Sequence, residues 1–422
     1  MTAISDYGKL YASWDAYAER TPRDTAEVSR IVAEARKDGV SIRVRGSAHT
    51  FSGATIPREG EILLRTTNLG HFSFDRPGTV QVGAGAIAWD VRDLAAGHGL
   101  LMPVYNGGWA GPTVGGYLSA GGMGLRVPPA DREQWLMLPP ETRPPLLSIS
   151  ETHGGFWEHV AAVTLVDGTG AVHDINENDP EFPWLFANFG QFGIVTDVRL
   201  KLIEQGGGRA YPLGVSGVVP RVQADDPIVN DRLARPGGER ILFWFSYLVS
   251  REQEDGAWRE LAGWVDRHRP FLTPQGGWVG PVIGGEPIGY RYLVTFRRFN
   301  PPLLYPNQED FVLIGLMATF DGVGTMASDE RILELERDFA GISLENGYRL
   351  YPQAENIGRG IDYASYYGAS TYAAFQQLKQ RFDPDGIVNP GVIFPSAVTA
   401  PQRTSLARLA GAALAQLFGK DS

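Results

Sequence analysis

The strongest constraint on this chain is a set of three glycine-bearing segments lying far apart in the sequence. They are Arg45-Gly46-Ser47-Ala48-His49-Thr50, Thr113-Val114-Gly115-Gly116-Tyr117-Leu118-Ser119-Ala120-Gly121-Gly122 and Gly190-Gln191-Phe192-Gly193-Ile194-Val195. Glycine permits close backbone approach and supplies the turns that aim N–H groups at an anion such as a pyrophosphate. One such turn carries little information, because most glycine-rich turns are only turns. Their order and spacing carry the weight.

The first segment closes a helix-strand unit. Asp24-Thr25-Ala26-Glu27 has capping-box spacing, Val28, Ile31, Val32 and Ala35 recur on one helical face, and Gly39 suits a C-cap. Ile42 and Val44, alternating with Arg43 and Arg45, predict a strand that ends at Gly46. A second strand holds Val80 and Val82, passes Gly83 and Gly85, and enters a short helix with Val91 and Leu94. Further strands are predicted over 160–166 and over 194–202, where apolar residues alternate with Asp197, Arg199 and Lys201. Gly206-Gly207-Gly208 then breaks the pattern, and aromatic strands such as Phe243-Trp244-Phe245 follow, which places a domain boundary there. Near the end, Leu406, Leu409, Ala413 and Leu417 share a face, as in a docked surface helix.

The length of 422 residues gives room for two domains of ordinary size. A net charge of -10 offers no general attraction to nucleic acid or anionic membranes, and a small organic substrate fits better. No apolar run reaches about 18 residues, and the start has no signal-like core, so the expectation is a cytoplasmic protein. The absence of cysteine removes disulfides, thiolate metal sites, iron–sulfur clusters and cysteinyl cofactor links. No metal site is expected either, since His153 and His159 are too far apart for one helical face. Gly83-Ala84-Gly85-Ala86-Ile87-Ala88 matches the dinucleotide fingerprint, yet no acidic residue follows about 20 positions later to hold a ribose.

With the closing Asn389-Pro390-Gly391, the three segments resemble the vanillyl-alcohol oxidase and p-cresol methylhydroxylase family of flavoproteins. The resemblance takes in Thr21-Pro22-Arg23-Asp24, the Thr164-Leu165-Val166-Asp167-Gly168 strand and turn, and Leu378-Lys379 before Phe382-Asp383-Pro384. It covers nearly all of the chain outside the middle region. It implies an α+β fold, with a two-subdomain p-cresol methylhydroxylase-type FAD-binding domain and a sheet-and-helix cap domain that meets the substrate. Residues 1–207 would form the N-terminal part of the FAD domain, 208–342 the cap, 343–398 the returning segment and 399–422 a helical tail.

The same resemblance implies that FAD is held by Arg45, Gly46, Ser47, Ala48, Thr50, Gly115, Gly116, Ser119, Gly121, Gly122, Gly193, Ile194, Val195 and Asn389. His49 matches the histidine that bonds to the flavin 8α-methyl in many members. That bond needs a neutral ring nitrogen; it anchors the cofactor and raises its oxidising power. Ala48 departs from the pattern, standing where glycine is frequent. The implied activity is that of an FAD-dependent oxidase or dehydrogenase taking hydride from an alcohol or amine-type C–H, with dioxygen reoxidising the flavin. The alternatives are a tailoring step such as oxidative decarboxylation or cyclisation, and a flavin- or ligand-binding protein without turnover.

Two regions stand apart from the family pattern. Residues 125–152 insert three Pro-Pro pairs around Trp135, stiff enough to cover a substrate or to form a surface excursion. The returning segment is dense in tyrosine, with Tyr348, Tyr351, Tyr363, Tyr366 and Tyr367 near Arg349 and Asp362. In the family this segment lines the substrate pocket. Tyr351 with Arg349 is the candidate proton-transfer pair, since alternation on a strand puts both on one face, and Tyr363 and Tyr366 are further candidates.

Overall fold

A computed structural model describes residues 4–8, 12–13, 18–106, 111–126, 147–204, 211–220, 241–269, 273–275, 282–283, 286–287, 289–320, 326–352 and 362–394. The Gly206-Gly207-Gly208 breaker, most of the 125–152 insert and the helical tail lie outside these residues.

The helix Thr25–Asp38 begins where the sequence places it. The Asp24 carboxylate accepts from the Glu27 N–H at 2.8 Å, the Glu27 carboxylate accepts from the Arg23 N–H, and Gly39 ends the helix at φ 67°. Its buried residues, Val28, Ile31, Val32 and Ala35, form a small core with Ile42, Leu64, Val166, Ile194 and Val388. Beside it three strands run parallel in the order Ala18–Arg20, Ile62–Arg65, Ile42–Arg45. The returning chain adds a parallel bridge from Val388 to Ile42.

A six-stranded antiparallel sheet follows in the order Val172–Asn176, Val160–Asp167, Gly193–Lys201, Thr79–Gly83, His71–Ser73, Ser216–Val218. Gly83 and Gly85 belong to a packing turn. A Cβ on Gly85 would lie 1.8 Å from the Thr66 carbonyl oxygen, so the residue is glycine for space rather than for a nucleotide.

The cap is a second antiparallel sheet in the order Thr273–Gln275, Phe311–Phe320, Ile241–Ser250, Arg349–Leu350, with Tyr290–Val294 also on Phe311–Phe320. The helices Glu254–His268 and Met326–Asn346 accompany it. The first buries Ala257, Leu261, Trp264 and Val265, and Trp264 packs on Phe245 and Phe339. One continuous core runs from the six-stranded sheet into the cap.

Both boundaries of the middle region differ from the expectation. Ser216–Val218 adds a strand to the six-stranded sheet, tied there by the Tyr211 hydroxyl donating to the Thr79 carbonyl, so residues 211–219 do not belong to the cap sheet. The helix Met326–Asn346 continues through residue 342, and Arg349–Leu350 pairs with cap strand Ile241–Ser250. The chain leaves the cap sheet only after Leu350 because Leu248 and Tyr247 offer it a free edge.

The Phe382-Asp383-Pro384 turn is anchored by one carboxylate. Asp383 accepts from the Ile387 and Val388 N–H groups at 3.0 Å and from Lys379 Nζ at 2.6 Å, and Lys379 also donates to the Gln191 carbonyl. Asp383→Ala removes the partner of a largely buried ammonium and is expected to cost about 3 kcal/mol. A lowered urea midpoint at unchanged slope would show it, and a midpoint equal to wild type would contradict this account.

Candidate functional site

The three glycine segments and the returning turn converge on one cleft. Gly46, Ser47, Ala48, His49 and Thr50 form one wall, Gly115, Gly116 and Ser119 a second, and Gly193, Ile194, Val195 and Asn389 a third. Among the described residues no charged side chain lines it; their polar lining is Ser, Thr, His and Asn together with backbone. A pyrophosphate would therefore meet hydroxyl and N–H donors without a facing carboxylate.

Two glycines fix how closely these walls approach. A Cβ on Gly46 would lie 2.3 Å from Thr113 Oγ1, so only glycine lets the first loop seat against the second. Thr113 in turn caps the helix Val114–Ser119 by accepting from the Gly116 N–H. Gly193 has φ 152°, and a Cβ there would lie 2.3 Å from the Val166 carbonyl oxygen.

Asn389 joins the third wall to the first. Its side-chain carbonyl accepts from the Val44 N–H at 2.8 Å, and its amide donates to the carbonyls of Phe189 at 3.1 Å and Gly190 at 3.3 Å. Gln191 Nε2 donates to the Asn389 carbonyl. The left-handed residues other than glycine among those described are Ala48, Ala187, Phe189, Asn389 and Ile393. Ala48, Phe189 and Asn389 line the cleft, Ala187 abuts Gly121 beside it, and Ile393 follows the lining residue Val392. Strained backbone is thus concentrated at this one place, as at sites where geometry is held for a ligand. Ala48, at φ 54°, explains why glycine is frequent at that position.

His49 sits at the cleft with its ring 4.5 Å from that of Tyr7, and burial pushes its pKa down to about 4, so the imidazole is neutral near pH 7. The N-terminal strand and turn strap this loop. The Tyr7 N–H donates to the Ala48 carbonyl, and the buried Asp6 carboxylate accepts from the Gly53 N–H at 2.7 Å and from Thr50 Oγ1 at 3.2 Å. Sequence reasoning missed Asp6 and Tyr7, because nothing local marks a segment whose partners lie some 45 positions on.

Several candidate residues stand elsewhere. Arg45 is not in the cleft wall: its side chain is buried beneath the loop, donating to Thr55 Oγ1. Gly122 packs under the Tyr117 ring, and Gly121 sits behind the wall with its carbonyl facing Tyr351. The Tyr363 hydroxyl donates to the Ile393 carbonyl and that of Tyr366 accepts from the Leu350 N–H, so both phenols brace the returning chain. Tyr351 and Arg349 share a strand face but have different neighbours. The Tyr351 hydroxyl lies 3.5 Å from the Gly121 carbonyl, and burial pushes its pKa far up, so it holds its proton. Arg349 lies instead over the Tyr366 ring at 4.4 Å. His153 and His159 do meet, through a ring nitrogen of His159 on the His153 carbonyl, and among the described residues no group of side chains fits a metal ion.

The cap presents a definite face to these loops. Directly opposed residues of antiparallel strands share a face, so Trp244, Ser246, Leu248, Gly315, Tyr292, Arg349 and Tyr351 lie together. Trp244 packs edge-on to Phe51, just beyond His49, at 6.0 Å, and to Tyr351 at 5.4 Å.

Residues 17–135 match the family model of the FAD binding domain, so this part of the chain carries such a domain. A D-lactate dehydrogenase of Archaeoglobus fulgidus is 31% identical over 107 residues, 25% of this chain and 24% of that protein. The chain thus matches about a quarter of that relative's length. An uncharacterised oxidoreductase of the fasciation locus of Rhodococcoides fascians is 21% identical over 433 aligned residues, 88% of this chain and 91% of that protein. The crystal structure of 6-hydroxy-D-nicotine oxidase from Arthrobacter nicotinovorans has the same fold, with a TM-score of 0.55 at 16% identity over 89% of this chain and 92% of that one. Among the described residues no helix is long and apolar enough to cross a membrane.

The donor set and the glycine-fixed walls fit FAD. Gly46→Ala should purify with far less flavin than wild type, because the added Cβ drives the first loop off Thr113. Gly39→Ala, whose Cβ meets nothing within 4 Å, should keep its flavin and lose only about 1 kcal/mol at the helix end. The ratio of visible to ultraviolet absorbance separates the two, and full flavin content in Gly46→Ala would contradict the assigned cradle.

Proposed function

We propose that this protein is an FAD-dependent oxidoreductase acting on a small organic substrate at an alcohol or amine-type C–H, with FAD bonded covalently through His49. The observation that carries the reading is a neutral imidazole at a cleft built from the three glycine segments. When bound, FAD supplies a hydride acceptor whose electrons pass on to dioxygen.

The protein's own contribution is binding, orientation and control of protons. Gly46, Ser47, Ala48, Thr50, Gly115, Gly116 and Ser119 would hold the phosphate-bearing part with backbone N–H groups and hydroxyls. His49 carries only the single ring proton of the neutral tautomer above about pH 4, which suits a nucleophilic imidazole, and the Tyr7 ring packs against it at a tilt. Gly193, Ile194, Val195 and Asn389 close the far wall.

The substrate lies between the cleft and the cap face that carries Trp244, Tyr292 and Tyr351. That face is aromatic and its phenols stay protonated, since burial raises the pKa of both Tyr292 and Tyr351. Tyr351 therefore acts as a hydrogen-bond donor that orients the substrate's oxygen or nitrogen. It is not a resting phenolate base. Tyr363 and Tyr366 position the returning chain from behind.

Acid-precipitated wild-type protein should stay yellow and give a fluorescent band on a denaturing gel. His49→Ala should release its flavin under the same treatment while retaining the folded protein. Complete release of flavin from wild-type protein would overturn the covalent link. A colourless wild-type protein that takes up no added FAD would overturn the function itself.

A further inference from the structure

Arg349 is left over from this scheme. It stands opposite Leu248 in the cap sheet, on the same face as Tyr351 and Trp244, and is half-buried. Its guanidinium carbon lies 4.4 Å from the centroid of the Tyr366 ring and 5.9 Å from that of Tyr367. Two other arginines that are buried or half-buried have carboxylate partners: Arg43 pairs with Glu61 and Arg291 with Glu254. Among the described residues the Arg349 side chain makes no ion pair and no hydrogen bond. The nearby carboxylate of Asp362 is engaged at the start of its own helix by the Ala364 and Ser365 N–H groups and the Ser365 hydroxyl.

Next to this cation is an unsatisfied donor. Tyr367 is 2% exposed, and its hydroxyl has no hydrogen-bond partner. An orphaned buried hydroxyl is costly, and native structures keep one where something absent from the coordinates satisfies it. Burial pushes the Tyr367 pKa well up, so the group is a phenol that donates rather than a phenolate that repels an anion. A guanidinium held over an aromatic ring still has N–H groups to donate, and they match a carboxylate in shape and charge.

We propose that Arg349 and the Tyr367 hydroxyl form a subsite for a carboxylate of the substrate, so that the substrate is a small organic acid. The proposal rests on the flavin reading for its meaning as a substrate site, though not for the binding itself. Arg349 and Tyr351 are two positions apart, with Tyr351 just past the end of the strand Arg349–Leu350, and extended chain over that spacing sets roughly 7 Å between their Cα atoms. An acid anchored on Arg349 extends past Tyr351, whose hydroxyl meets Gly121 at the end of the segment that lines the cleft with Ser119 and Ala120. The anchored carboxylate then leaves a neighbouring carbon of the same molecule facing the cleft.

The test uses purified full-length protein and three acids with their amides: acetate and acetamide, phenylacetate and phenylacetamide, benzoate and benzamide. Calorimetry reads binding without relying on the flavin, and perturbation of the visible spectrum reports whether the probe lies near the cleft. At least one acid is expected to bind wild-type protein at least tenfold more tightly than its amide. Arg349→Met should weaken that acid about 10- to 100-fold, the loss typical of a charge-assisted hydrogen bond, and leave the amide unchanged. Arg349→Lys should recover part of the affinity, and Tyr367→Phe should lose several-fold with the fold intact. If no acid outbinds its amide, or if Arg349→Met weakens acid and amide alike, the subsite is overturned. Acid binding without any flavin in the protein would sustain the subsite and count against the flavin reading, so the two failures are distinct.

Discussion

The side chain of Asn389 holds the cleft together. One amide group accepts from Val44 in the first strand and donates to Phe189 and Gly190 in the third glycine segment. The partners lie about 345 and 200 positions away in sequence, and the parallel bridge from Val388 to Ile42 sets Asn389 beside the first of them. The chain therefore has to complete the middle region and return before the site exists. With its backbone left-handed, Asn389 presents its side chain to Val44 and to residues 189–190, while Gln191 of that same segment donates to its carbonyl. Lys379 and Asp383 support this turn from below, with Lys379 reaching the Gln191 carbonyl.

Much of the cleft's character follows from that convergence. Loops pressed together at Gly46 and Gly193 leave no room for side chains, so the walls present backbone and small hydroxyl residues. Such a surface binds an anion by geometry rather than by opposite charge. The strain stored at Ala48, Phe189 and Asn389 is offset by hydrogen bonds from neighbouring segments, above all the strap from Asp6 and Tyr7 onto the His49 loop. The cap adds aromatic area, and the contact of Trp244 with Phe51 and Tyr351 couples its sheet face to the loop carrying His49.

What could be read from the sequence divides along the range of the interactions. The helix Thr25–Asp38 with both its caps and the turn at Gly83 were legible because their determinants lie within a few residues. The glycine segments, His49 and Asn389 were legible through order and spacing, and the cleft brings most of the named residues together. Arg45 stands outside the cleft lining and bonds to the lining residue Thr55: a residue alternating with Ile42 and Val44 gives no sign that both faces of the strand are covered, as the burial of Arg43 against Glu61 also shows. The edges of the middle region were missed for a similar reason, since Ser216–Val218 and Arg349–Leu350 are too short to show a period and are defined only by the strands that receive them. The tyrosines of the returning segment looked alike in sequence. Burial and hydrogen bonding separate Tyr363 and Tyr366, which brace the chain, from Tyr351, which faces Gly121.

The account stands or falls on where the cofactor lies. Crystals of the coloured wild-type protein, examined for electron density, test this directly. Density for one FAD per chain is predicted in the cleft, with its pyrophosphate against the 46–50 and 113–119 segments and its ring system beside His49. Flavin density at any other place on the chain, or crystals of folded protein that take up FAD nowhere, would contradict it.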